Sequence, residues 1–150
     1  MKNINYFFQA ILIYFFFIIG RILGIRLSRL IFSNLFFYIG PYFKSKKILK
    51  KNLDISFPKF SNHRIKEIEK NMWKNYGMTF IEYVFLNYLR KKRDHIKIYG
   101  EDILFNIINS KKPVIFISGH FANFELMSME ITKKKIILAT IYRPINNFFL

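Results

Sequence analysis

Residues 115–126 read I-F-I-S-G-H-F-A-N-F-E-L, and the prediction of the fold starts from this stretch. The apolar run 114–117 is typical of a buried strand, the Ser-Gly pair after it of a tight turn, and the run 124–131 of an amphipathic helix. On one continuous helix, two residues five apart lie about 140° apart. His120 and Glu125 would therefore meet most easily if His120 lies in the turn and Glu125 in the helix.

A histidine and a carboxylate in that geometry can activate a hydroxyl group. The same spacing also fits a loop histidine and a solvated helical glutamate, and spacing alone does not choose between the two. His63 and His95 have no metal-ligand spacing to each other or to His120, and we interpret both as surface residues. The sequence contains no P-loop, dinucleotide-binding glycine motif, zinc pattern or nucleophile elbow, so Ser118 is interpreted as a turn residue.

Three strands are predicted around this stretch, at residues 96–99, 114–117 and 136–142, with helices at 102–108 and 123–132 between them. Two strands separated by a helix of about ten residues form a right-handed parallel βαβ unit. The histidine would then lie at the carboxyl end of a parallel strand, where open α/β sheets bind their ligands. The predicted fold is α/β, with a parallel or mixed sheet covered by helices.

An apolar run at residues 6–20, interrupted only by Gln9, predicts a membrane anchor helix. At about 1.5 Å per residue it is slightly shorter than a hydrocarbon core of ~30 Å. A cleaved signal peptide is the alternative, but no A-x-A-like site comes after the run and Arg21 interrupts at once, which favours an uncleaved anchor. The excess of Lys and Arg after the run places the rest of the chain on the cytoplasmic side. Residues 22–43 predict an amphipathic segment in the interface, with its arginines towards lipid headgroups.

Residues 61–93 have apolar side chains at helical spacing, with Ser61 or Asn62 as the candidate N-cap and a basic cluster at the C-terminal end. The net charge of +16, from 25 Lys and Arg against 9 Asp and Glu, favours anionic partners. A hydrophobic content of 52% is high for a soluble domain, which indicates that a membrane or a partner covers some of that surface. The absence of cysteine excludes a disulfide scaffold and thiolate metal sites.

Residues 118–126, S-G-H-F-A-N-F-E-L, resemble the H-x4-(D/E) motif of glycerolipid-type acyltransferases. They are similar, more narrowly, to the G-H-x-G-N-W-E motif of the lipid A late acyltransferases, the lauroyl and myristoyl transferases of lipopolysaccharide biosynthesis. Ala122 stands where that family usually has Gly, and Phe124 where it usually has Trp. The resemblance runs in register along the whole chain, with further matches at Tyr142-Arg143-Pro144, Asn146-Asn147, residues 98–101, residues 52–53 and residues 57–58.

The resemblance implies transfer of a fatty acyl chain from the thioester of acyl carrier protein to a hydroxyl of a lipid A precursor, with neither metal nor cofactor. The acceptor in the family is a phosphorylated glucosamine disaccharide that carries 3-hydroxyacyl chains and Kdo sugars. His120 would take the proton from the acceptor hydroxyl, and Glu125 would orient the imidazole. Substrate binding is assigned to Arg143, Asn123 and Asn146. A salt bridge suits Arg143 equally well, and a turn or cap role suits Asn146 and Asn147 better than catalysis.

We expect acyl carrier protein, the phosphorylated glycolipid and anionic membrane lipids as partners, no nucleic acid, and a place at the inner membrane. Residues 1–43 would form the anchor and interfacial segment, and residues 44–150 the N-terminal part of an acyltransferase domain. Members of the family are considerably longer, so the chain looks truncated, and the 150 residues alone are expected to be inactive. Two alternatives stay open: an acyltransferase with another lipid or glycolipid acceptor, and a non-catalytic, truncated, membrane-anchored basic protein.

Overall fold

A computed structural model describes residues 2–43, 46–92, 96–141 and 144–150. These residues contain six α-helices and two 3₁₀ turns, Gly40–Tyr42 and Tyr83–Phe85. The helices are α1 (Lys2–Ile39), α2 (Lys46–Ser56), α3 (Asn62–Glu82), α4 (Leu86–Lys91), α5 (Glu101–Ser110) and α6 (Glu125–Lys133). The chain divides into two compact units, which we call the hairpin unit (residues 13–84) and the motif unit (residues 1–12 and 85–150).

Helix α1 turns back on itself at Gly24. This residue has φ 75° and ψ 163°, a conformation that is essentially restricted to glycine. The hydroxyl of Ser28 donates to the carbonyl oxygen of Gly20 at 2.8 Å, and the ring centroids of Phe16 and Phe32 lie 5.6 Å apart. On a straight helix the last two residues would be separated by about 24 Å, at 1.5 Å per residue. Helix α1 is therefore a helical hairpin with two antiparallel arms.

Helix α3 packs along the hairpin and completes an aromatic core inside the hairpin unit. The side chain of Phe80 is at its centre, with ring centroids 5.4 to 6.5 Å from those of Phe16, Phe17, Phe32 and Phe36. The backbones approach closely at Gly77, where a Cβ atom would lie only 2.1 Å from the carbonyl oxygen of Phe32. Glycine at this position thus allows α3 to lie directly against the second arm.

An ion pair joins the second arm of α1 to the end of α3. The guanidinium of Arg29 donates to Oε1 of Glu82 through Nε at 2.7 Å and through Nη2 at 2.6 Å, and Glu82 is buried. Arg21 donates to the carbonyl oxygen of Val84 at 3.3 Å. The prediction that these arginines face lipid headgroups is wrong for Arg29, because a buried carboxylate requires a cation beside it.

The predicted anchor at residues 6–20 lies within the first arm of α1. The segment Asn3–Tyr42 is long and apolar enough to cross a membrane, although the hairpin at Gly24 divides it. Exposed apolar side chains recur along the first arm at intervals of three or four residues, which places them on one helical face: Ile4, Phe8, Ile11, Phe15, Ile18 and Ile22. The interfacial segment was predicted at residues 22–43; of these, residues 22–39 supply the end of this arm and the whole second arm.

Local signals located the later helices well. The hydroxyl of Ser61 accepts a hydrogen bond from the backbone N–H of Arg64 at 3.3 Å, so Ser61 is the N-cap of α3, as predicted. The long helix predicted at residues 61–93 is divided by the 3₁₀ turn that separates α3 from α4. The helices predicted at residues 102–108 and 123–132 correspond to α5 and α6.

The predicted α/β fold with a parallel or mixed sheet is wrong. No strand occurs in the described ranges; residues 96–98, 112–121 and 136–141 have irregular backbone, and Tyr142 lies outside those ranges. Ile115, Ile117, Ile137 and Ile141 are 87%, 92%, 99% and 106% exposed, so no neighbouring strand covers these side chains. Strand propensity expresses how well a side chain fits a paired, half-buried surface, and it cannot create the partner strand. The placement of His120 at a strand end is therefore also wrong.

Candidate active site

His120 occupies the apex of a three-residue turn in the motif unit. The backbone N–H of Phe121 donates to the carbonyl oxygen of Gly119 at 2.9 Å, and His120 between them does not have a positive φ. These features define an inverse γ-turn. The hydroxyl of Ser118 donates to the same Gly119 carbonyl at 3.2 Å, which agrees with its interpretation as a turn residue. The turn presents the exposed imidazole to solvent.

The imidazole of His120 is stacked on the phenyl ring of Phe124, with centroids 4.0 Å apart and ring planes inclined by 26°. A stacked neighbour covers one face of the imidazole, whereas both ring nitrogens lie on its edge and stay accessible to a hydrogen-bond partner. Phe124 immediately precedes α6 and is half-buried, so it links the histidine to the start of that helix. The sequence prediction missed this contact, although an aromatic ring four residues after the histidine was a visible signal.

Glu125 is the first residue of α6 and is half-buried. A carboxylate in the first turn interacts favourably with the partial positive charge of the helix N-terminus. Within the part of the chain that the structure describes, no hydrogen bond or ion pair joins Glu125 to His120. The structure thus brings His120 into contact with Phe124, and Glu125 follows Phe124 in the chain. The predicted contact between the imidazole of His120 and the carboxylate of Glu125 does not form.

The turn between His120 and α6 contains a residue with left-handed backbone conformation. Ala122 has φ 48°, which costs a residue with a Cβ atom about 1–2 kcal/mol. This strain explains why glycine suits the position. Glycine is also the residue that the family resembled by this motif usually has there. The next residue, Asn123, is buried, and its carbonyl oxygen accepts from the N–H of Leu126 at 3.2 Å. The backbone of Asn123 thereby helps to begin α6.

The remaining predicted substrate-binding residues lie near the end of the chain. Asn146 is exposed, and Arg143 lies outside the described residues. The neighbouring Asn147 is buried: its amide donates to the carbonyl oxygen of Tyr6 at 2.8 Å, and its side-chain oxygen accepts from the N–H of Phe149 at 3.1 Å. The second bond is an Asx-turn, which confirms the predicted turn role of Asn147. The bond to Tyr6 joins segments 141 residues apart and had no sequence signal.

A large cavity lies in the motif unit. Its volume is about 1090 Å³, and it is bordered by the end of α5, one face of α6 and the two apolar segments at residues 113–116 and 136–141. Four lysines also line it, namely Lys111, Lys112, Lys134 and Lys135. The apolar walls suit an acyl chain, and the lysines suit an anionic group attached to it. His120 is not among the lining residues.

Two ion pairs lie close to a second cavity, of about 370 Å³, in the same unit. Glu101 pairs with Lys134, and Glu130 pairs with Lys133. Glu130 is buried, and its charge is balanced by the lysine one helical turn later. Among the described residues, no group of three or more His, Asp or Glu side chains could hold a metal ion. These carboxylates are therefore best explained as ion-pair partners that hold α5 and α6.

Comparison with known proteins gives one match that covers nearly the whole chain. The model of a family described as bacterial lipid A biosynthesis acyltransferase matches residues 2–150. No curated protein matches, and no solved structure matches. The match includes the turn with His120, the start of α6 and the apolar hairpin of α1.

Proposed function

This chain belongs to the bacterial lipid A biosynthesis acyltransferase family, and from that premise we propose that it transfers a fatty acyl chain from acyl carrier protein to a hydroxyl of a lipid A precursor. The family match over residues 2–150 is the observation that supports this proposal most strongly. It agrees with the resemblance found in the sequence, and it identifies the chain as a member of an acyltransferase family. The donor, the acceptor and the roles of individual residues belong to the proposal.

In the proposed mechanism His120 is the general base. An edge nitrogen of its imidazole takes the proton of the acceptor hydroxyl as the oxygen attacks the thioester carbonyl carbon. The tetrahedral intermediate collapses, the C–S bond breaks, and the thiolate of the donor leaves with the proton from the imidazolium. The exposed position of His120 and its stack on Phe124 support this role, because a base must be accessible and held in one orientation.

Glu125 is proposed to orient the imidazole and to stabilise the imidazolium once substrate is bound. Catalytic hydrogen bonds are often long or absent in the free enzyme and form in the complex. Arg143 and Asn146 are proposed to contact the acceptor. Asn123 is buried, and we propose that it contributes by holding the turn between His120 and α6.

The apolar cavity of about 1090 Å³ is proposed to receive the acyl chain, with its lysines near the phosphates of the acceptor. The hairpin of α1 is proposed to bind the cytoplasmic face of the inner membrane through the exposed apolar face of its first arm. Residues 1–43 would thus supply the membrane-facing surface, and residues 44–150 would belong to the acyltransferase domain.

A cross-linking experiment tests donor binding independently of turnover. The chain is incubated with acyl carrier protein whose acyl thioester carries a diazirine near the chain end, and the labelled peptides are identified by mass spectrometry after irradiation. We expect labelling within residues 107–116 and 127–141, and we expect unmodified acyl-carrier-protein thioester to suppress it. Labelling that is absent, or that the natural thioester does not reduce, would contradict the proposed donor site.

An activity assay tests the reaction itself. The radiolabelled acyl-carrier-protein thioester is mixed with the Kdo-bearing phosphorylated disaccharide, or with a lysophospholipid, in the presence of the chain in detergent. Acylation of the disaccharide alone would support the proposed acceptor. Acylation of the lysophospholipid alone would refute the lipid A precursor as acceptor and favour another lipid.

A further inference from the structure

A separate cavity lies in the hairpin unit, between the second arm of α1, α2 and α3. Its volume is about 610 Å³, within the range of small-molecule sites. Its apolar walls are the side chains of Phe37, Leu53, Ile65 and Trp73. Among the described residues, none of those assigned above to acyl transfer lines it. The cavity is therefore distinct from the candidate active site.

Trp73, which lines this cavity, carries a hydrogen-bond donor that is unused among the described residues. The residue is only 7% exposed, and its indole Nε1 is buried without a hydrogen bond to any residue that the structure describes. The opposite edge of the indole faces Gly40, where a Cβ atom would lie 2.2 Å from Cε3 of Trp73. A buried N–H group without an acceptor costs about 1–3 kcal/mol. An acceptor supplied by a ligand in the cavity would recover that loss.

The charged residues that line the cavity are mostly basic. Lys50, Lys66 and Lys70 line it, against a single acid, Glu69. Lys50 forms an exposed ion pair with Asp54 at 3.0 Å, whereas neither Lys66 nor Lys70 forms an ion pair within the described ranges. Lys70 Nζ also lies 5.7 Å from the ring centroid of Phe37, a wall of the cavity. Two ammonium groups without an ion-pair partner among the described residues, together with an unused N–H donor, match a ligand that is anionic and rich in acceptor oxygens, such as a phosphate.

The exposed aromatic residues beside the cavity indicate where such a ligand would come from. Tyr38, Tyr42 and Phe43, at the end of the second arm, are 70%, 85% and 79% exposed. Aromatic side chains are enriched at the level of the headgroups in membrane-bound proteins. Tyr38 belongs to the last turn of the hairpin, and Tyr42 and Phe43 follow it directly. Phe37 and Pro41 of the same stretch line the cavity. The cavity would then open at headgroup depth, within reach of a lipid that already lies in the bilayer.

We propose that this cavity binds the headgroup of one anionic phospholipid. The Trp73 indole N–H donates to a phosphate oxygen, Lys66 and Lys70 supply the positive charge, and the apolar walls contact the upper part of an acyl chain. Such a site is saturable and depends on particular residues, unlike the general attraction of a basic chain to an anionic surface. The proposal of this lipid site does not depend on the assignment of acyl transfer to His120.

Trp73 is the only tryptophan of the chain, so its fluorescence reports on this cavity directly. The full chain is reconstituted in phosphatidylcholine vesicles that contain a small fraction of brominated lipid, either phosphatidylglycerol or phosphatidylcholine. Bromine quenches tryptophan on contact. We expect the brominated phosphatidylglycerol to quench much more strongly at equal mole fraction, and to do so with saturation.

Two double variants separate the site from general charge. Lys66→Gln with Lys70→Gln removes the cations of the cavity, and Lys47→Gln with Lys51→Gln removes the same charge from α2 outside it. The first pair should weaken the phosphatidylglycerol-dependent quenching roughly 30-fold. The second should change it by less than about fivefold, because Lys47 and Lys51 do not line the cavity and act on the lipid only through screened, long-range attraction. Circular dichroism checks that both variants are folded.

Three results would overturn the proposal. The first is equal quenching by the two brominated lipids, and the second is an equal loss in the two double variants. The third is relief of quenching by millimolar glycerol 1-phosphate, which would show that a free phosphate ester displaces the lipid and that the site does not select a lipid. Preferential, saturable quenching that only the cavity variants lose, and that glycerol 1-phosphate does not relieve, would establish it.

Discussion

The imidazole of His120 and the phenyl ring of Phe124 form a stacked pair, with 4.0 Å between their centroids, at the entrance to α6. This contact defines the orientation of the candidate base in the structure, and it comes from an aromatic ring instead of a carboxylate. The position of Phe124 is one where the resembling family usually has tryptophan, which would offer a larger surface to the same imidazole. An aromatic residue four positions after the histidine therefore has a positioning role in our interpretation of the motif.

Replacing Phe124 should release the imidazole of His120. In Phe124→Leu, the ring-current shift of the His120 protons should disappear from the proton NMR spectrum, and stability should fall by at least about 0.5–1.5 kcal/mol, the usual value of an aromatic pair. Phe124→Trp should preserve the shift and the stability. Phe121→Leu, which alters an exposed ring next to the histidine, serves as the control. A His120 spectrum that is the same in Phe124→Leu and in the unmodified chain would show that the stack does not form.

Removing the proposed base should abolish acyl transfer. In any preparation of the protein that transfers acyl chains, His120→Ala should lower the rate about 10²–10⁴-fold, the usual contribution of a general base. Glu125→Gln should lower it equally or less, and the double variant should be far from additive because the two residues act on one proton transfer. His63→Ala, at an exposed histidine outside the motif, should have no effect. Transfer by His120→Ala at the unmodified rate would refute the proposed role.

Ala122 offers a test of the strained turn. Its left-handed conformation costs about 1–2 kcal/mol with a Cβ atom present, while glycine loses roughly 0.5–1 kcal/mol through its more flexible unfolded state. Ala122→Gly should therefore stabilise the protein by up to about 1.5 kcal/mol, measured by urea unfolding in detergent. Ala139→Gly, at a residue without positive φ, should be neutral or destabilising. Destabilisation by Ala122→Gly as well would show that the turn is not held in this conformation.

Much of the helical structure was predictable because its signals are local. The cap at Ser61, the spacing of apolar residues in α3 and the helix around Glu125 depend on residues within a turn or two of each other. The turn position of His120 was predictable for the same reason.

The features that the sequence did not predict depend on contacts between distant residues. Ile115 and Ile137 are of a residue type that is common in strands. A strand forms only when a second strand pairs with it, and no local pattern shows whether that second strand is present. The bond from Asn147 to Tyr6 spans almost the whole chain in the same way. The ion pair of Arg29 with Glu82 also needs α3 to lie along the hairpin, and composition assigned that arginine to the membrane interface.

The turn of α1 rests on one glycine, so its substitution should open the hairpin. A Cβ atom at Gly24 would meet nothing within 4 Å, and the obstacle is therefore the backbone conformation alone, φ 75° and ψ 163°. Gly24→Ala should cost about 1–3 kcal/mol at this turn.

Spin labels on the exposed positions Phe15 and Tyr38 would be separated by about 35 Å on a straight helix, at 1.5 Å per residue, and by much less across the hairpin. Electron–electron double resonance should give the short distance for the unmodified chain and for the control Ser33→Ala, and an added long distance for Gly24→Ala. A long distance in the unmodified chain would refute the hairpin itself, and an unchanged short distance in Gly24→Ala would show that the core around Phe80 holds the two arms together without help from the turn.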